Sequence, residues 1–231
     1  MIQKDGKIIA AGRSQNSFAV ARYNADGSQD TSFNGSGIVI TPLGNDSGAV
    51  DLAIQLDGKI VVVGYSRGVS NDFSTADFAV ARYNPDGSLD TSFDGTGKII
   101  IPIGGFADYA NSVAIQADGK IVVAGNSDGD SGRNFVVVRF NPNGSLDTTF
   151  NGTGKVTTPF CCTSYAIGVA IQADGKIVVA GATDDYLDGW FDFVLVRYQG
   201  GSNSNIRTRF DFDGDGKSDI SVFRPSDGIW F

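Results

Sequence analysis

The chain contains no histidine and no glutamate. Without an imidazole, Ser-His-Asp and Cys-His nucleophilic arrangements are excluded and the commonest general base is missing. Its two cysteines, Cys161 and Cys162, are adjacent. They build no disulfide framework and are too few for zinc; small half-buried residues are the first reading, a strained vicinal disulfide the second. No apolar run approaches the roughly 18 residues of a membrane span, and the opening MIQKDGKII shows no secretory signal. Setting 26 acidic residues against 18 basic ones leaves a net charge of −8, which disfavours nucleic acid and anionic lipid as partners.

What is present is repetition. FAVARYNADGSQDTSFNGSG from Phe18 returns as FAVARYNPDGSLDTSFDGTG from Phe78 and as FVVVRFNPNGSLDTTFNGTG from Phe135. A second block, IQKDGKIIAAG from Ile2, recurs as IQLDGKIVVVG from Ile54 and as IQADGKIVVAG from Ile115 and Ile171. The DGK aspartates Asp5, Asp57, Asp118 and Asp174 are spaced by 52, 61 and 56 residues, so the chain is an array of four units, about 1–47, 48–107, 108–163 and 164–198.

Within a unit the apolar residues form short Val- and Ile-rich runs broken by Gly, Asn and Asp, with no helical spacing. Unit three reads SVAIQ, ADG, KIVVAG, a variable loop, FVVVRF, the turn NPNG, the return SLDTTF, the turn NGTG and KVTTPF. This predicts four strands per unit joined in order by hairpins, with Pro142 presetting φ and Gly144 taking positive φ. Runs such as Ile121–Ala124 and Phe135–Val138 do not alternate with polar residues, so both sheet faces must be covered. The expected fold class is therefore all-β, four tandem antiparallel blades of a β-propeller in an open or incomplete arc. A parallel solenoid ranks second, since it would need shorter units and no hairpins.

Unit one begins with a stub, and unit four ends at VLVRY, where QGGSNSN (about 199–205) has the composition of a flexible linker. The chain reads as a slice of a longer secreted protein; the other option is a complete four-bladed ring closed by strands from the C-terminal segment. The pattern AIQxDGKIVVAG followed by FVVVRYNPDGSLDTSFxGxG resembles the delta-60 repeat family over residues 1–198. That resemblance implies a secreted or cell-surface propeller with no catalytic residues to carry over. The DTSF segment missing from unit four departs from it.

The C-terminal stretch RFDFDGDGKSDISVFRPSDGIWF holds a different signal. Asp211, Asp213 and Asp215 alternate so that three carboxylates converge, Gly216 permits a sharp turn, Asp219 returns and the Lys217 carbonyl adds a donor. Such a shell suits a structural Ca²⁺, because clustered carboxylates repel one another without a cation. It is not an EF-hand, since its twelfth position is Val222. Residues 206–231 are similar to the start of an FG-GAP or VCBS-like calcium-binding repeat.

Arg22, Arg82 and Arg139 each precede an aspartate by eight residues: Asp30, Asp90 and Asp147. Their recurrence points to structural ion pairs within each blade rather than to a ligand site; Arg197 is expected to lack such a partner. Phe33, Phe93 and Phe150 close the same segment and are expected to pack between blades. Carboxylate pairs such as Asp128 with Asp130, or Asp184 with Asp185, lie in loops and offer the only route to a lyase or glycosidase. The loops between second and third strands differ most among units, and Tyr65, Phe73, Tyr186, Trp190 and Phe191 make that face a candidate for protein or carbohydrate contacts. The reading is a monomeric, non-catalytic, extracellular or cell-surface module, with a propeller enzyme and a purely structural spacer as the alternatives.

Overall fold

A computed structural model describes residues 1–68, 75–104, 106–129, 132–160, 163–184, 191–200, 220–224 and 229–230. These residues form four antiparallel sheets and no helix, and each sheet follows chain order. The first sheet holds β1 (Ile8–Ser14), β2 (Ser17–Tyr23) and β3 (Ile38–Thr41). The second holds β4 (Asp46–Ile54), β5 (Ile60–Arg67), β6 (Ala76–Tyr83) and β7 (Lys98–Ile101). The third holds β8 (Asp108–Ile115), β9 (Ile121–Gly129), β10 (Gly132–Phe140) and β11 (Lys155–Thr158). The fourth holds β12 (Ser164–Ile171), β13 (Ile177–Asp184), β14 (Phe191–Tyr198), β15 (Ile220–Arg224) and β16 (Ile229–Trp230).

Turn chemistry sets this order. In the DGK turn of unit three the Gly119 N–H donates to Gln116 O at 2.9 Å and the Gln116 N–H donates to Lys120 O at 2.8 Å. Gly119 sits at φ 83°, a left-handed conformation in which glycine pays no steric penalty. The return SLDTTF is a chain of turns tied to β10 by the bridge of Phe140 with Leu146, so KVTT supplies the outer strand.

The sheets pack face to face. Ile9, Phe18 and Val20 of the first blade meet Ile60, Val62, Ala79 and Ala81 of the second. Val61, Val63, Phe78 and Val80 of the second meet Ile121, Val123, Val136 and Val138 of the third. Val122, Ala124, Phe135 and Val137 then meet Ile177, Val179, Val194 and Val196 of the fourth. Successive residues of one strand thus serve two different interfaces, which is why the central runs are apolar throughout. Each buried Val, Ile or Phe contributes about 1.5–3 kcal/mol.

The neighbouring strands β4, β8 and β12 are the inner strands of their blades, and β8 touches both of the others. Blade one has no inner strand among the described residues, so β1 packs directly beside β4. Blade four takes its fourth strand from the C-terminal stretch: β15 pairs with β14 through Phe193–Phe223, Val194–Val222, Leu195–Ser221 and Val196–Ile220.

Candidate ligand-binding face

The repeated arginines occupy the end of the blades that carries the DGK and NPDG turns. Arg22 Nε lies 2.7 Å from Asp30, Arg82 Nε 2.7 Å from Asp90 and Arg139 Nε 2.8 Å from Asp147, all six residues being buried. Each aspartate also meets the DGK lysine of its own unit: Lys7 at 2.8 Å, Lys59 at 2.9 Å and Lys120 at 3.3 Å. The hydroxyl two residues further on, Ser32, Ser92 or Thr149, donates to the same carboxylate at 2.6 Å. Each guanidinium covers the phenylalanine that ends the segment, at 4.7 Å from Phe33, 4.5 Å from Phe93 and 4.7 Å from Phe150. Finally Arg22, Arg82 and Arg139 each donate through Nη1 to a backbone carbonyl of the next blade, on Pro85, Pro142 and Gly200.

These contacts hold the carboxylates below their usual range. Bonds from Lys7 and Ser32 do this for Asp30. At Asp90 and Asp147 burial opposes ionisation but is outweighed, by Ser92 and Lys59 in one case and by Thr149 and Arg139 in the other. The network is buried and its charges already face one another, so it presents no open surface to a ligand. Arg197, the fourth repeated arginine, also makes a polar or electrostatic interaction.

The opposite end, where second and third strands connect, is different. Asp46 at the start of β4 binds Arg13 of blade one at 2.7 Å and Arg67 of its own blade at 2.7 Å. Arg67 lies 4.9 Å from the Tyr65 ring centroid and donates to Tyr109 Oη of blade three at 3.5 Å. Arg13 donates to Tyr65 Oη at 3.4 Å. Tyr65 and Tyr109 meet edge to face with centroids 5.7 Å apart. Arg133, paired with Asp128 across β9 and β10, lies 5.9 Å from the Tyr109 ring and 4.9 Å from that of Tyr165 in blade four. Tyr165 meets Phe191 edge to face at 5.8 Å.

Arginines and rings therefore form a connected track across all three blade junctions. The tyrosines are half-buried and Phe191 is 53% exposed. A bond with Tyr109 holds the Arg67 proton more tightly than usual, as one with Asp128 does for Arg133. Beside the track, Asp108 is fully buried; its Oδ2 accepts from the Ile103 and Gly104 N–H groups, at 2.7 and 3.1 Å, while Oδ1 has no hydrogen-bond partner among the described residues. Burial, and then the Asp108 charge, push the neighbouring Asp77 upward.

Of the residues singled out from sequence, Tyr65 and Phe191 lie on this track. Phe73, Tyr186 and Trp190 lie outside the described residues, as do Asp211, Asp213, Asp215, Lys217, Asp219, Asp130, Asp185, Cys161 and Cys162. Asp128 is neutralised by Arg133, and Asp184 is likewise engaged. The sequence reading missed Tyr109 and Tyr165, although DYA and SYA stand at the same place in units three and four and were open to detection. It also missed Arg13, Arg67 and Arg133, which share no repeated position. Among the described residues no three carboxylates or thiols cluster to hold a metal, and no helix is long and apolar enough to cross a membrane.

A sequence comparison with curated proteins found no match. Among solved structures, the fold is similar to the "GH43 Endo-Arabinanase from Bacillus licheniformis", with 12% identity and a TM-score of 0.49 over 96% of this chain and 78% of that one. It is also similar to "a novel alpha-L-arabinofuranosidase (CtGH43) from Clostridium thermocellum ATCC 27405", with 11% identity and a TM-score of 0.40 over 95% of this chain and 82% of that one. At those values neither likeness bears on activity. The model of the family described as "Domain of unknown function (DUF5122) beta-propeller" matches residues 3–33, 55–93, 116–150 and 172–202, one segment in each blade. Covering more than half of the chain and recurring with its blades, that match makes the chain a member of the DUF5122 β-propeller family.

Proposed function

We propose that the chain is a non-catalytic, extracellular or cell-surface binding module whose arginine–tyrosine track takes a carbohydrate. The observation that carries this is the run Arg13, Tyr65, Arg67, Tyr109, Arg133, Tyr165, Phe191 crossing every blade junction on one face. Half-exposed rings offer flat apolar surface to sugar C–H groups, and the flanking guanidinium and carboxylate groups are held ready for hydroxyls. A protein ligand would be expected to need more exposed apolar area than rings already tied to arginines provide. A glycan array followed by calorimetry tests this. Tyr109→Ala and Tyr165→Ala should each weaken binding by about tenfold. Absence of any glycan binding, or affinity unchanged in both variants, would overturn it.

The enzyme alternative has one observation in its favour. Asp77, pushed upward by burial and by Asp108, has the environment of a carboxylic acid that donates a proton. Turnover of a glycoside, lost in Asp77→Asn, would favour that reading. Structural Ca²⁺ at Asp211, Asp213, Asp215, Asp219 and the Lys217 carbonyl belongs to the same proposal, and it rests on the all-oxygen donor set read from the sequence.

A further inference from the structure

Ser47, Asp108 and Ser164 hold one position of the inner strand, two places before the alanine at the bulge, and all three are fully buried. The serines are satisfied as neutral groups. Ser47 Oγ donates to Asn16 O at 3.3 Å and accepts from the Leu43 N–H at 3.4 Å, and Ser164 Oγ bonds to Thr183 Oγ1 at 2.8 Å. Blade three replaces the hydroxyl with a carboxylate. Asp108 Oδ2 is held by the Ile103 and Gly104 N–H groups, while Oδ1, equally out of water, has no hydrogen-bond partner among the described residues. Such an oxygen is costly to bury bare, and its natural complement is a bound water or ion.

The surroundings change with the residue. From the end of the preceding outer strand the chain takes six steps to this position from Thr41 to Ser47 and from Thr158 to Ser164, but seven from Ile101 to Asp108. In blade two the Asn45 N–H donates to the Arg67 carbonyl at 3.1 Å, and a Cβ built on Gly44 would lie 2.4 Å from that oxygen and 2.7 Å from Ser66 Oγ. In blade three a Cβ built on Gly104 would lie 3.5 Å from the Asp128 carbonyl oxygen, 2.8 Å from Ser127 Oγ and 3.8 Å from Asp108 Oδ1. The longer connection thus stands back from the carbonyl. It leaves a hollow beside Gly104 whose three nearest atoms, apart from the glycine and its chain neighbours, are all oxygen. The nearby guanidinium groups are engaged elsewhere, Arg67 with Asp46 and Arg133 with Asp128. Asp77 of blade two feels the Asp108 charge as repulsion, so the field at this junction favours a divalent cation.

We propose that Asp108 Oδ1, Ser127 Oγ and the Asp128 carbonyl bind a Ca²⁺ ion in blade three, beside blade two. Ca²⁺ takes about six to eight oxygen ligands in a flexible shell, so three protein donors leave places for water. One carboxylate with two neutral oxygens makes a weak site, with a Kd of about 0.1–1 mM. It is separate from the oxygen set of Asp211, Asp213, Asp215 and Asp219, and it rests on a difference between sibling blades rather than on an acidic run.

Titration calorimetry and thermal melts of the full chain carrying Asp213→Ala, which disables the C-terminal oxygen set, isolate this site. That chain should bind one Ca²⁺, and the ion should raise its melting temperature. Asp108→Asn keeps an oxygen for the Ile103 and Gly104 N–H groups but removes the charge, and Gly104→Ala places a methyl group in the hollow. Each, added to Asp213→Ala, should abolish both the binding and the thermal shift. Asp108→Ser restores the residue of the sibling blades; it should abolish binding too, and in EGTA it should melt no lower than its parent, which keeps a folded variant at hand. An Asp213→Ala chain that binds no Ca²⁺ at about 10 mM would overturn the proposal. So would binding that survives undiminished in any folded Asp108 or Gly104 variant.

Discussion

At the residue scale, the buried Arg139 shows how one repeated letter performs four tasks. It neutralises Asp147, covers Phe150, bonds to Thr149 and reaches the Gly200 carbonyl of the next blade. Arg139→Met keeps the volume and removes all four. Removing one partner of a buried pair typically costs 3–5 kcal/mol. Lys120 still stands 3.3 Å from Asp147, so a loss of about 3 kcal/mol is expected in urea unfolding. The same carboxylates set the response to acid. Folded-state values lowered for Asp30, Asp90 and Asp147 mean that their contribution is present above the unfolded value of about 3.9 and lost as pH falls through it toward the native values. The unfolding midpoint should therefore drop between about pH 5 and pH 3, and Asp147→Asn should make that drop shallower. An unchanged slope would show that these pairs do not govern acid stability.

At the scale of the element, the inner strand of each complete blade carries a bulge at one position, between Ala49 and Asp51, Ala110 and Ser112, and Ala166 and Gly168. A glycine faces it on the second strand. Cβ atoms on Gly64, Gly125 and Gly181 would lie 2.0 Å from the carbonyl oxygens of Gly48, Tyr109 and Tyr165. Backbone cannot yield to that degree, so Gly125→Ala should cost about 3 kcal/mol or more. Gly12 is the same letter of the same motif, but among the described residues β1 has no inner strand beside it. Gly12→Ala meets no atom of the described residues within 4 Å and restricts the unfolded chain, so it should stabilise by about 0.4–1 kcal/mol. Thermal melts of the two variants should move in opposite directions; equal shifts would refute the asymmetry. Tyr109 and Tyr165 stand just before these bulges in β8 and β12.

At the scale of the whole molecule, adjacent blades are coupled through shared cores and through polar links such as Asn126 Oδ1 accepting from the Ala166 N–H at 2.8 Å and Asp51 Oδ2 from the Val113 N–H at 3.0 Å. Tyr83 joins the second blade to the first by donating to Thr41 at 2.8 Å, and burial pushes its phenol up to about 12. Because β15 completes blade four, an ion bound by Asp211 to Asp219 next to it would stabilise the array. With a Kd of about 0.1–1 mM, 10 mM Ca²⁺ should add roughly 1.4–2.7 kcal/mol. Differential scanning calorimetry with and without the ion measures this. A melting temperature indifferent to Ca²⁺, or a response undiminished in Asp213→Ala, would remove calcium from the account.

The all-β class, four units and hairpin order were determined by the amino-acid sequence alone, since they depend on local rules: which residues turn, which repeat, and which runs need cover on both faces. The Arg–Asp spacing of eight residues was legible for the same reason, because partners joined by one return segment are neighbours in the chain. The Lys7, Lys59 and Lys120 contributions were not, as they arrive from two strands away. Tertiary structure alone decided that β15 fills blade four, that Arg13 and Asp46 meet across a junction, and that Phe193 is left exposed where Phe78 and Phe135 are buried. Identical local sequence has different surroundings at the middle and at the ends of an arc, and only the packing of sheets distinguishes them.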